Sequence, residues 1–475
     1  MKVVRFVGEE ACTDAAYVAA VDYEGSAVVD SMTGDRNVTV QFMLNGGPLL
    51  VEPDEHTRDF LDLAVAVYIA DELIKREDSL NRWTRDFDLL VPVFDPGKWQ
   101  QATTRLASTL NFLSQDRFEF TWIKRAAMPE GIRHRQELPV GFDAVCLFSG
   151  GIDSLLGANR LLQEGRKVLL VGHQAEGATA KAQKDLYTML ASQFDDHVAL
   201  IQCRVARSGN ETHRHILPKK VEESHRPRSF LFLALALTVA NAARIQSIFV
   251  PENGMIALNP PLQRSRAGAH ATRTAHPIFL TRLIDSLRAA DVFEGEIRNP
   301  FLYMSKMDML RELDPTLIDL VKRSVSCSHP LRYQDEGVHH CGYCVPCLHR
   351  RAAMMVCGLD DSDDYAFNVL LGTPSRLRGK EFTPYLQLNA KALFPFARRM
   401  TTASDVELHS RVLSHGYFPA SVGERIGLET VQTYQPWAEM IRRWAIDLIA
   451  EFETRLSDDM KAQLGFSASP GERVL

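Results

Sequence analysis

The sequence predicts an α/β protein built on a doubly wound parallel sheet. From residue 142 onward, short apolar runs alternate with segments of helical apolar spacing. Strands and helices that alternate in this way form parallel sheets, which bind ligands beyond the carboxyl ends of their strands. The predicted strands are residues 142–148, 167–171, 197–203 and 245–250, and the predicted helices are residues 155–163, 180–193 and 226–243.

Two further regions flank this centre, so that we expect domains at residues 1–140, 141–360 and 361–475. The first is predicted to be an N-terminal α/β or α+β module, with a linker at residues 128–139. Its strands are predicted at 17–21, 27–29, 38–43, 88–94 and 118–123, and its helices at 52–75 (with Pro53 in the first turn) and 96–113. The last region predicts helices at 405–415 and 435–456. They either cap the site or form the interface of a homo-oligomer.

The bulk composition is that of an ordinary globular protein. The chain has 475 residues, of which 45% are hydrophobic and 24% charged, with a net charge of −6. This acidic balance, without a dominant basic patch, argues against nucleic-acid binding. The longest apolar stretch, residues 230–243, is too short to cross a membrane, and the first residues lack the apolar core of a signal peptide. We therefore expect a cytoplasmic protein with no membrane partner.

One stretch at the end of the first predicted strand carries the strongest functional signal. It reads Leu147-Phe148-Ser149-Gly150-Gly151-Ile152-Asp153-Ser154-Leu155. Adjacent glycines let the backbone approach a ligand closely, and the amide groups that open a helix bind phosphate. Ser149 and Ser154 add hydroxyl groups, and Asp153 places a carboxylate that can hold Mg²⁺ between phosphate oxygens. The alternative is a glycine-rich turn without a ligand, and the chain contains no Walker-type phosphate loop.

A cluster of cysteines late in the chain predicts a metal centre. Cys327 is followed by Cys341, Cys344 and Cys347, with two residues between each of the last three. Four soft thiolate ligands favour a closed, structural Zn²⁺ site, and this spacing favours a reducing compartment over a disulfide framework. An iron–sulfur cluster or four unligated thiols are the alternatives. A neighbouring histidine could also replace one cysteine.

Several side chains that follow other predicted strands are candidates for binding substrate. Glu252 and Asn253 come directly after the fourth strand, where they could read the edge of a guanine-like base or form an exposed turn. His173 and Gln174 follow the second strand, at the edge of the sheet where a bound ligand would lie. Lys306 could neutralise a carboxylate or phosphate, although a solvated lysine at a helix start is the simpler reading.

Arginines supply further candidates for phosphate binding. Arg228 opens the longest apolar helix, and Arg264, Arg266 and Arg273 fall in a segment that contains Gly268. Most arginines in such runs are simply solvated. We interpret residues 264–276 as a candidate closing segment.

The Ser-Gly-Gly-x-Asp-Ser loop resembles the pyrophosphate loop of the N-type ATP pyrophosphatases. Together with the four cysteines, it makes residues 142–360 resemble the 7-cyano-7-deazaguanine synthase (QueC-type) family. Further matching segments are Arg228, Asn299-Pro300-Phe301, Ser305-Lys306, Ser326-Cys327 and Cys341-Gly342-Tyr343-Cys344. The resemblance implies an adenine-nucleotide α-hydrolase-like fold, ATP as cosubstrate and a structural zinc. It also implies that ATP activates the carboxylate of 7-carboxy-7-deazaguanine, which ammonia then converts to a nitrile.

The chain departs from that family in ways that concern the acceptor. Family members lack the N-terminal module and the helical tail. Their second strand usually ends in Tyr-Gly-Gln, where this chain has Gly172-His173-Gln174. In its size the chain resembles the enlarged QueC-like (QatC-like) components of bacterial anti-phage islands. That resemblance implies deazaguanine chemistry directed to another acceptor, such as a protein or an operon partner.

We therefore expect an ATP-dependent ligase that adenylates a deazaguanine carboxylate and passes it to a nitrogen nucleophile. Ser149, Asp153, Ser154 and Lys306 are the expected catalytic residues, and residues 147–155 the expected ATP site. The expected substrate-binding residues are His173, Gln174, Arg228, Glu252 and Asn253. The rival hypotheses are tRNA thiolation or amidation by related chemistry, which the acidic balance disfavours, and a non-catalytic nucleotide-binding scaffold.

Overall fold

The structure is a computed structural model. It describes residues 2–6, 17–19, 21–24, 38–125, 136–174, 177–207, 222, 224–260, 262, 273–328, 337–359, 361–374, 388–408 and 431–466. The strands run at Lys2–Phe6 (β1), Tyr17–Ala19 (β2), Val21–Glu24 (β3), Val38–Leu44 (β4), Gly47–Pro48 (β5), Asp86–Val93 (β6), Arg117–Lys124 (β7), Ala144–Leu147 (β8), Val168–His173 (β9), Val198–Arg207 (β10), Ser247–Phe249 (β11), Glu296–Arg298 (β12), Phe367–Asn368 (β13) and Thr373–Pro374 (β14).

The helices alternate with the strands through the middle of the chain and dominate its end. They run at Glu55–Leu73 (α1), Pro96–Ser114 (α2), Ile152–Gln163 (α3), Gly177–Phe194 (α4), Arg228–Ala242 (α5), Gly254–Leu258 (α6), Pro277–Ala289 (α7), Lys306–Arg311 (α8), Ile318–Arg323 (α9), Val345–Val356 (α10), Leu388–Thr402 (α11), Asp405–Leu408 (α12), Val431–Arg455 (α13) and Asp458–Gln463 (α14). None of the described helices combines the length and apolar character needed to span a membrane.

The central sheet confirms the predicted doubly wound α/β fold. Its strands lie in the order β12-β11-β8-β9-β10-β4-β3, and β5 pairs with β4 off this path. The pairs from β12 to β10 are parallel, as the strand–helix alternation predicts. Since β9 and β11 lie on opposite sides of β8, the strand order reverses between β8 and β11. A crevice at such a switch point is where open α/β sheets bind ligands.

Side chains of the first central strand face two different cores. Ala144 and Cys146 pack with α3 in one core, whereas Val145 packs with α5 in the other. This alternation follows from the two-residue period of a strand. Helix α5 is buried on nearly all sides. This burial explains why its sequence is a continuous apolar run without a polar face.

The N-terminal segment shares the central sheet. Strand β4 pairs antiparallel with β10 from Val38–Arg207 to Leu44–Ile201, and Phe60 of α1 packs edge-on against Phe230 of α5. A second, parallel sheet has the order β2-β1-β6-β7. Residues before 140 are therefore continuous with the sheet that carries the candidate site. The domain boundaries at 140 and 360 stay predictions.

Most of the elements predicted for the flanking regions are present. The prediction for Pro53 is wrong, because Asp54 is the N-cap of α1 and its carboxylate accepts from the Thr57 amide. The strand predicted at 27–29 and most of the linker predicted at 128–139 lie outside the described residues. The helix predicted at 405–415 is described only as α12, and the one predicted at 435–456 is confirmed as α13.

A buried ion-pair network joins α1, α2 and β6. The Asp116 carboxylate, with no solvent exposure, accepts from both Arg76 and Arg85, and each shortest N–O distance is 2.8 Å. Arg85 also pairs with Asp71. Removal of the Asp116 carboxylate would take from the buried Arg76 its ion-pair partner and from Arg85 one of two partners, the other being Asp71.

We expect Asp116→Asn to lower the free energy of unfolding by about 3 kcal/mol or more, since buried ion pairs broken on one side cost this much. Urea denaturation followed by circular dichroism measures the change. Asp86→Asn is the matched control, because its carboxylate pairs with the largely exposed Arg117 and its loss should barely move the midpoint. Equal midpoints for both variants would contradict this account of the network.

Candidate active site and metal centre

The predicted phosphate loop lies between β8 and α3, with a backbone that requires glycine. Gly150 has φ +84°, a left-handed conformation that side chains rarely adopt. A Cβ at Gly150 would also lie 3.2 Å from the Gln183 amide nitrogen and 3.3 Å from the Thr179 carbonyl oxygen of α4. The Phe148 amide donates to the Val171 carbonyl at 2.8 Å, which ties the loop to the next strand.

Two serine hydroxyls close this loop. The Ser149 and Ser154 hydroxyls lie 3.2 Å apart, and Ser154 donates to the Gly151 carbonyl at 3.0 Å. Helix α3 begins at Ile152, and its N-cap residue, Gly151, has no side chain to cap it. The Ile152 amide instead donates to the Ser326 hydroxyl at 3.4 Å. The uncapped helix start and the paired hydroxyls form the kind of donor set that binds a phosphate.

Asp153, in the first turn of α3, is the centre of the polar cluster at the switch point. It is 6% exposed, and one carboxylate oxygen accepts from the Asn253 side chain at 2.7 Å and from its backbone amide at 3.1 Å. The other oxygen pairs with the Lys306 ammonium at 2.7 Å. Although burial opposes ionisation, Lys306 and the surrounding hydrogen bonds lower the pKa of Asp153 to about 2. The aspartate is therefore an anion at neutral pH.

Glu252 brings a second carboxyl group to the same cluster, where it forms a hydrogen bond with Asp153. Its backbone amide and carbonyl are held by the Asn299 side chain at 3.2 and 2.7 Å. Burial and the Asp153 charge raise the pKa of Glu252 well above its usual value. The Glu252 carboxyl group thus interacts with Asp153. Its predicted role in reading a guanine edge stays a prediction.

Lys306 is placed by the start of α8. Ser305 is the N-cap, and with Asp308 it forms a reciprocal capping box that fixes the first turn. Lys306 is 5% exposed, so the simpler reading of a solvated lysine is wrong. Burial and the Lys306 charge lower the pKa of His349, on α10, to about 3, so this neighbouring imidazole is uncharged. Its ring packs against Trp444 of α13, with centroids 5.6 Å apart.

The remaining predicted substrate residues form a second group, at the end of β9 and the start of α5. The His173 ring lies 6.2 Å from that of Tyr68 and 5.1 Å from that of Phe232, between centroids. The Arg228 guanidinium lies 5.5 Å from the Phe232 centroid. Burial and the Arg228 charge lower the pKa of His173 to about 3. No hydrogen bond or ion pair between described residues joins this group to Asp153.

Gln174 lies beside this group at the carboxyl edge of the sheet. Its backbone amide donates to the Cys203 carbonyl at 2.7 Å, which extends the pairing of β9 with β10. The side chain is half-buried. Its predicted contact with substrate stays a prediction.

The predicted closing segment is largely outside the described residues, since the structure gives no account of 263–272. Arg273 is described, and it is buried with its guanidinium 4.4 Å from the Phe112 ring centroid. His276 is fully buried and caps α7 through the Ile278 amide at 3.2 Å. The described contacts of Arg273 and His276 are thus with Phe112 and with the start of α7.

The four predicted cysteines come together in a cluster that could hold a metal ion. Their sulfur atoms all lie within 4.8 Å of one another, with Cys327–Cys344 at 4.0 Å and Cys341–Cys347 at 3.8 Å. Tetrahedral Zn²⁺ with bonds of about 2.3 Å separates its sulfur ligands by about 3.8 Å. The geometry therefore fits zinc. Because four protein ligands fill the coordination sphere, such a centre is structural.

The cysteine cluster is linked to the phosphate loop by contacts that the sequence did not reveal. His340 is not part of the cluster: its ring nitrogen accepts from the Ser326 amide at 3.3 Å. Arg350 is fully buried and donates to carbonyl groups at Val321, Lys322 and Ser324. The intervening Val325 amide donates to the Gly150 carbonyl at 2.8 Å. Residues 324–326 therefore lie between the cysteine cluster and the glycine-rich loop, and they contact the loop directly.

The site combines a glycine-rich loop at a helix start, a buried lysine–aspartate pair and a cluster of four cysteines. No protein-family model matches the chain. A 7-cyano-7-deazaguanine synthase of Hahella chejuensis is 24% identical over 181 residues, which cover 35% of this chain and 72% of that enzyme. The chain is therefore similar to this QueC-like synthase over 35% of its length. This similarity supports an ATP-using reaction of that type.

We expect the purified protein to hold one zinc ion per chain, which elemental analysis would detect. Cys344→Ser should lose the metal and about 4 kcal/mol or more of folding free energy, because the ligands fold around the ion. Cys357→Ser is the control, since Cys357 lies outside the cluster, with its sulfur 3.0 Å from the Leu310 carbonyl oxygen. A wild-type protein without bound metal, or a Cys344 variant with full stability, would refute the assignment.

Proposed function

We propose that the protein uses ATP to adenylate the carboxylate of a 7-deazaguanine, 7-carboxy-7-deazaguanine, and transfers the acyl group to a nitrogen nucleophile. The observation that carries this proposal is an ion pair with Lys306. Its carboxylate belongs to Asp153, in the first helical turn after the Ser-Gly-Gly loop. The similarity to a 7-cyano-7-deazaguanine synthase supports the substrate class.

The loop is suited to hold a departing pyrophosphate. The backbone amide groups at the start of α3 and the Ser149 and Ser154 hydroxyls are electrically neutral hydrogen-bond donors. Donors of this kind can bind phosphate oxygens. Lys306 supplies positive charge next to the loop. Fixed donors of this kind stabilise the charge that develops on phosphate oxygens in the transition state. The α-phosphorus is then open to a carboxylate oxygen.

Asp153 acts on this charge through Lys306. Both of its oxygens have partners, namely Asn253 and Lys306. It could hold Mg²⁺ only after Lys306 moves away, so the predicted Mg²⁺ site stays a prediction, and we derive no step from it. Asp153 fixes the direction of the Lys306 side chain, which prepares the lysine for an incoming anion.

Oxygen balance separates the two products that this chemistry can form. Adenylation turns one carboxylate oxygen into part of AMP, and attack by nitrogen then gives an amide. A nitrile has lost both oxygens, so its formation needs a second activation, of the amide oxygen. One ATP is therefore consumed for an amide and two for a nitrile.

The nitrogen nucleophile is the least constrained part of the proposal. Ammonia would lead to an amide or nitrile, and an amine on a protein would give a protein-linked deazaguanine amide. The resemblance to the enlarged relatives of anti-phage islands favours a protein acceptor and a role in defence. The N-terminal segment and the helical end of the chain are the parts available to recognise such an acceptor.

Asp153→Asn should reduce AMP formation by about 10²-fold or more, because Lys306 loses the charge that holds it. We would measure nucleotide products by chromatography with and without 7-carboxy-7-deazaguanine. The wild type should release AMP and pyrophosphate only when the acid is present. Asp143→Asn is the control, since this exposed aspartate precedes β8 at the opposite end of the strand. Release of ADP and phosphate, at equal rates with and without the acid, would reject the proposed reaction.

A further inference from the structure

The second group of polar residues lies beside the phosphate loop, where α5 begins. The Phe148 amide donates to the Val171 carbonyl, and a Cβ at Gly172 would lie 2.8 Å from the Phe148 carbonyl oxygen. His173 therefore follows directly after the point where β9 touches the loop. It lies two residues beyond Val171, which packs in the same core as α5, so both side chains face α5. The His173 ring accordingly lies 5.1 Å from that of Phe232, between centroids.

The start of α5 carries a cation and a hydroxyl group that make no polar contact with any described residue. Its N-cap, Pro227, has no side-chain group that could cap the helix. The Arg228 guanidinium lies 5.5 Å from the Phe232 ring centroid. Ser229 is 1% exposed and its hydroxyl has no hydrogen-bond partner, nor has either of the buried nitrogens of the His173 ring. Buried polar atoms without partners are rare, so three of them beside a cation indicate a ligand.

Glu252 lies elsewhere in the crevice, but Glu72 of α1 brings a carboxylate near this second group. That carboxylate has other partners: it accepts a hydrogen bond from the Tyr68 hydroxyl and pairs with Arg207 at 3.0 Å. The Tyr68 ring packs edge-on against that of His173, with centroids 6.2 Å apart, so the N-terminal segment borders the group. The Arg228 charge thus has no counter-charge among the described residues.

We propose that Arg228, Ser229 and His173 form a second oxyanion subsite, which binds a carboxylate or phosphate group of a substrate beside the loop. A guanidinium group, a hydroxyl group and an imidazole N–H all donate hydrogen bonds to such oxygens. The start of a helix adds positive potential at the same place. The inference deepens the proposed function and rests on it for the two substrates, ATP and 7-carboxy-7-deazaguanine.

The test is calorimetric titration of the full-length protein with two probes. They are the non-hydrolysable analogue α,β-methylene-ATP and 7-carboxy-7-deazaguanine, each titrated alone. Arg228→Gln should weaken binding of at least one probe by about 10-fold or more, because a charged hydrogen bond is lost. Arg244→Gln is the matched control: it removes the same charge from an exposed residue just beyond the other end of α5, and it should bind both probes as the wild type does.

Two further variants separate binding from a structural role. Ser229→Ala and His173→Phe remove buried polar atoms that have no hydrogen-bond partner in the protein. Their removal should leave the urea midpoint unchanged or raise it, since no internal hydrogen bond is lost. Each variant should nonetheless weaken the same probe by about 5-fold, because a neutral hydrogen bond to the anion is lost. A purely structural role would give the reverse pattern, with stability lost and affinity kept.

The probe that Arg228→Gln weakens identifies the source of the anion. Weaker binding of the ATP analogue alone assigns the subsite to a phosphate group, and weaker binding of the acid alone assigns it to the substrate carboxylate. Unchanged binding of both probes by all three variants, or an equal loss in Arg244→Gln, would overturn the inference and leave the proposed adenylation standing. The expected losses in a protein that forms no AMP would refute the proposed function alone. A wild-type protein that binds neither probe would overturn both.

Discussion

The buried ion pair between Asp153 and Lys306 is the contact on which the rest of the site depends. It joins α3, which follows the first central strand, to α8, which lies far away in the sequence. A charged pair taken out of water is tolerated only when its remaining hydrogen-bonding positions are filled. Asn253 fills them on Asp153, and the capping box at Ser305 fixes the direction of Lys306. The switch-point crevice is therefore polarised before any ligand arrives.

The four-cysteine cluster and helix α13 pack around this ion pair without contributing to it. The four cysteines anchor residues 324–326, which contact the phosphate loop through the Gly150 carbonyl and the Ile152 amide. Trp444 of helix α13 packs against the ring of His349. This uncharged imidazole lies near Asp153 and Lys306. The cysteine cluster and the C-terminal helix are thus physically connected to the residues around the Asp153–Lys306 pair.

Local patterns in the sequence predicted β8, β9, β10 and β11 of the central sheet, the glycine-rich turn before α3 and the cysteine cluster, because each depends on residues close together in the chain. They did not predict that β4 joins the central sheet, since its pairing with β10 is antiparallel and lies far away in sequence. The Glu252 contact with Asp153 was missed for the same reason. Ser326 was noted only as part of the Ser326-Cys327 match, and its contacts with the Ile152 amide and with His340 are seen only in the folded arrangement.

The central claim is that a carboxylate oxygen of the substrate attacks the α-phosphorus of ATP. Reaction of 7-carboxy-7-deazaguanine labelled with ¹⁸O in its carboxylate, followed by mass spectrometry of the nucleotide and phosphate products, tests it most directly. The account predicts that one labelled oxygen appears in AMP for every acyl group transferred. Label in inorganic phosphate, or none in AMP while product accumulates, would contradict it.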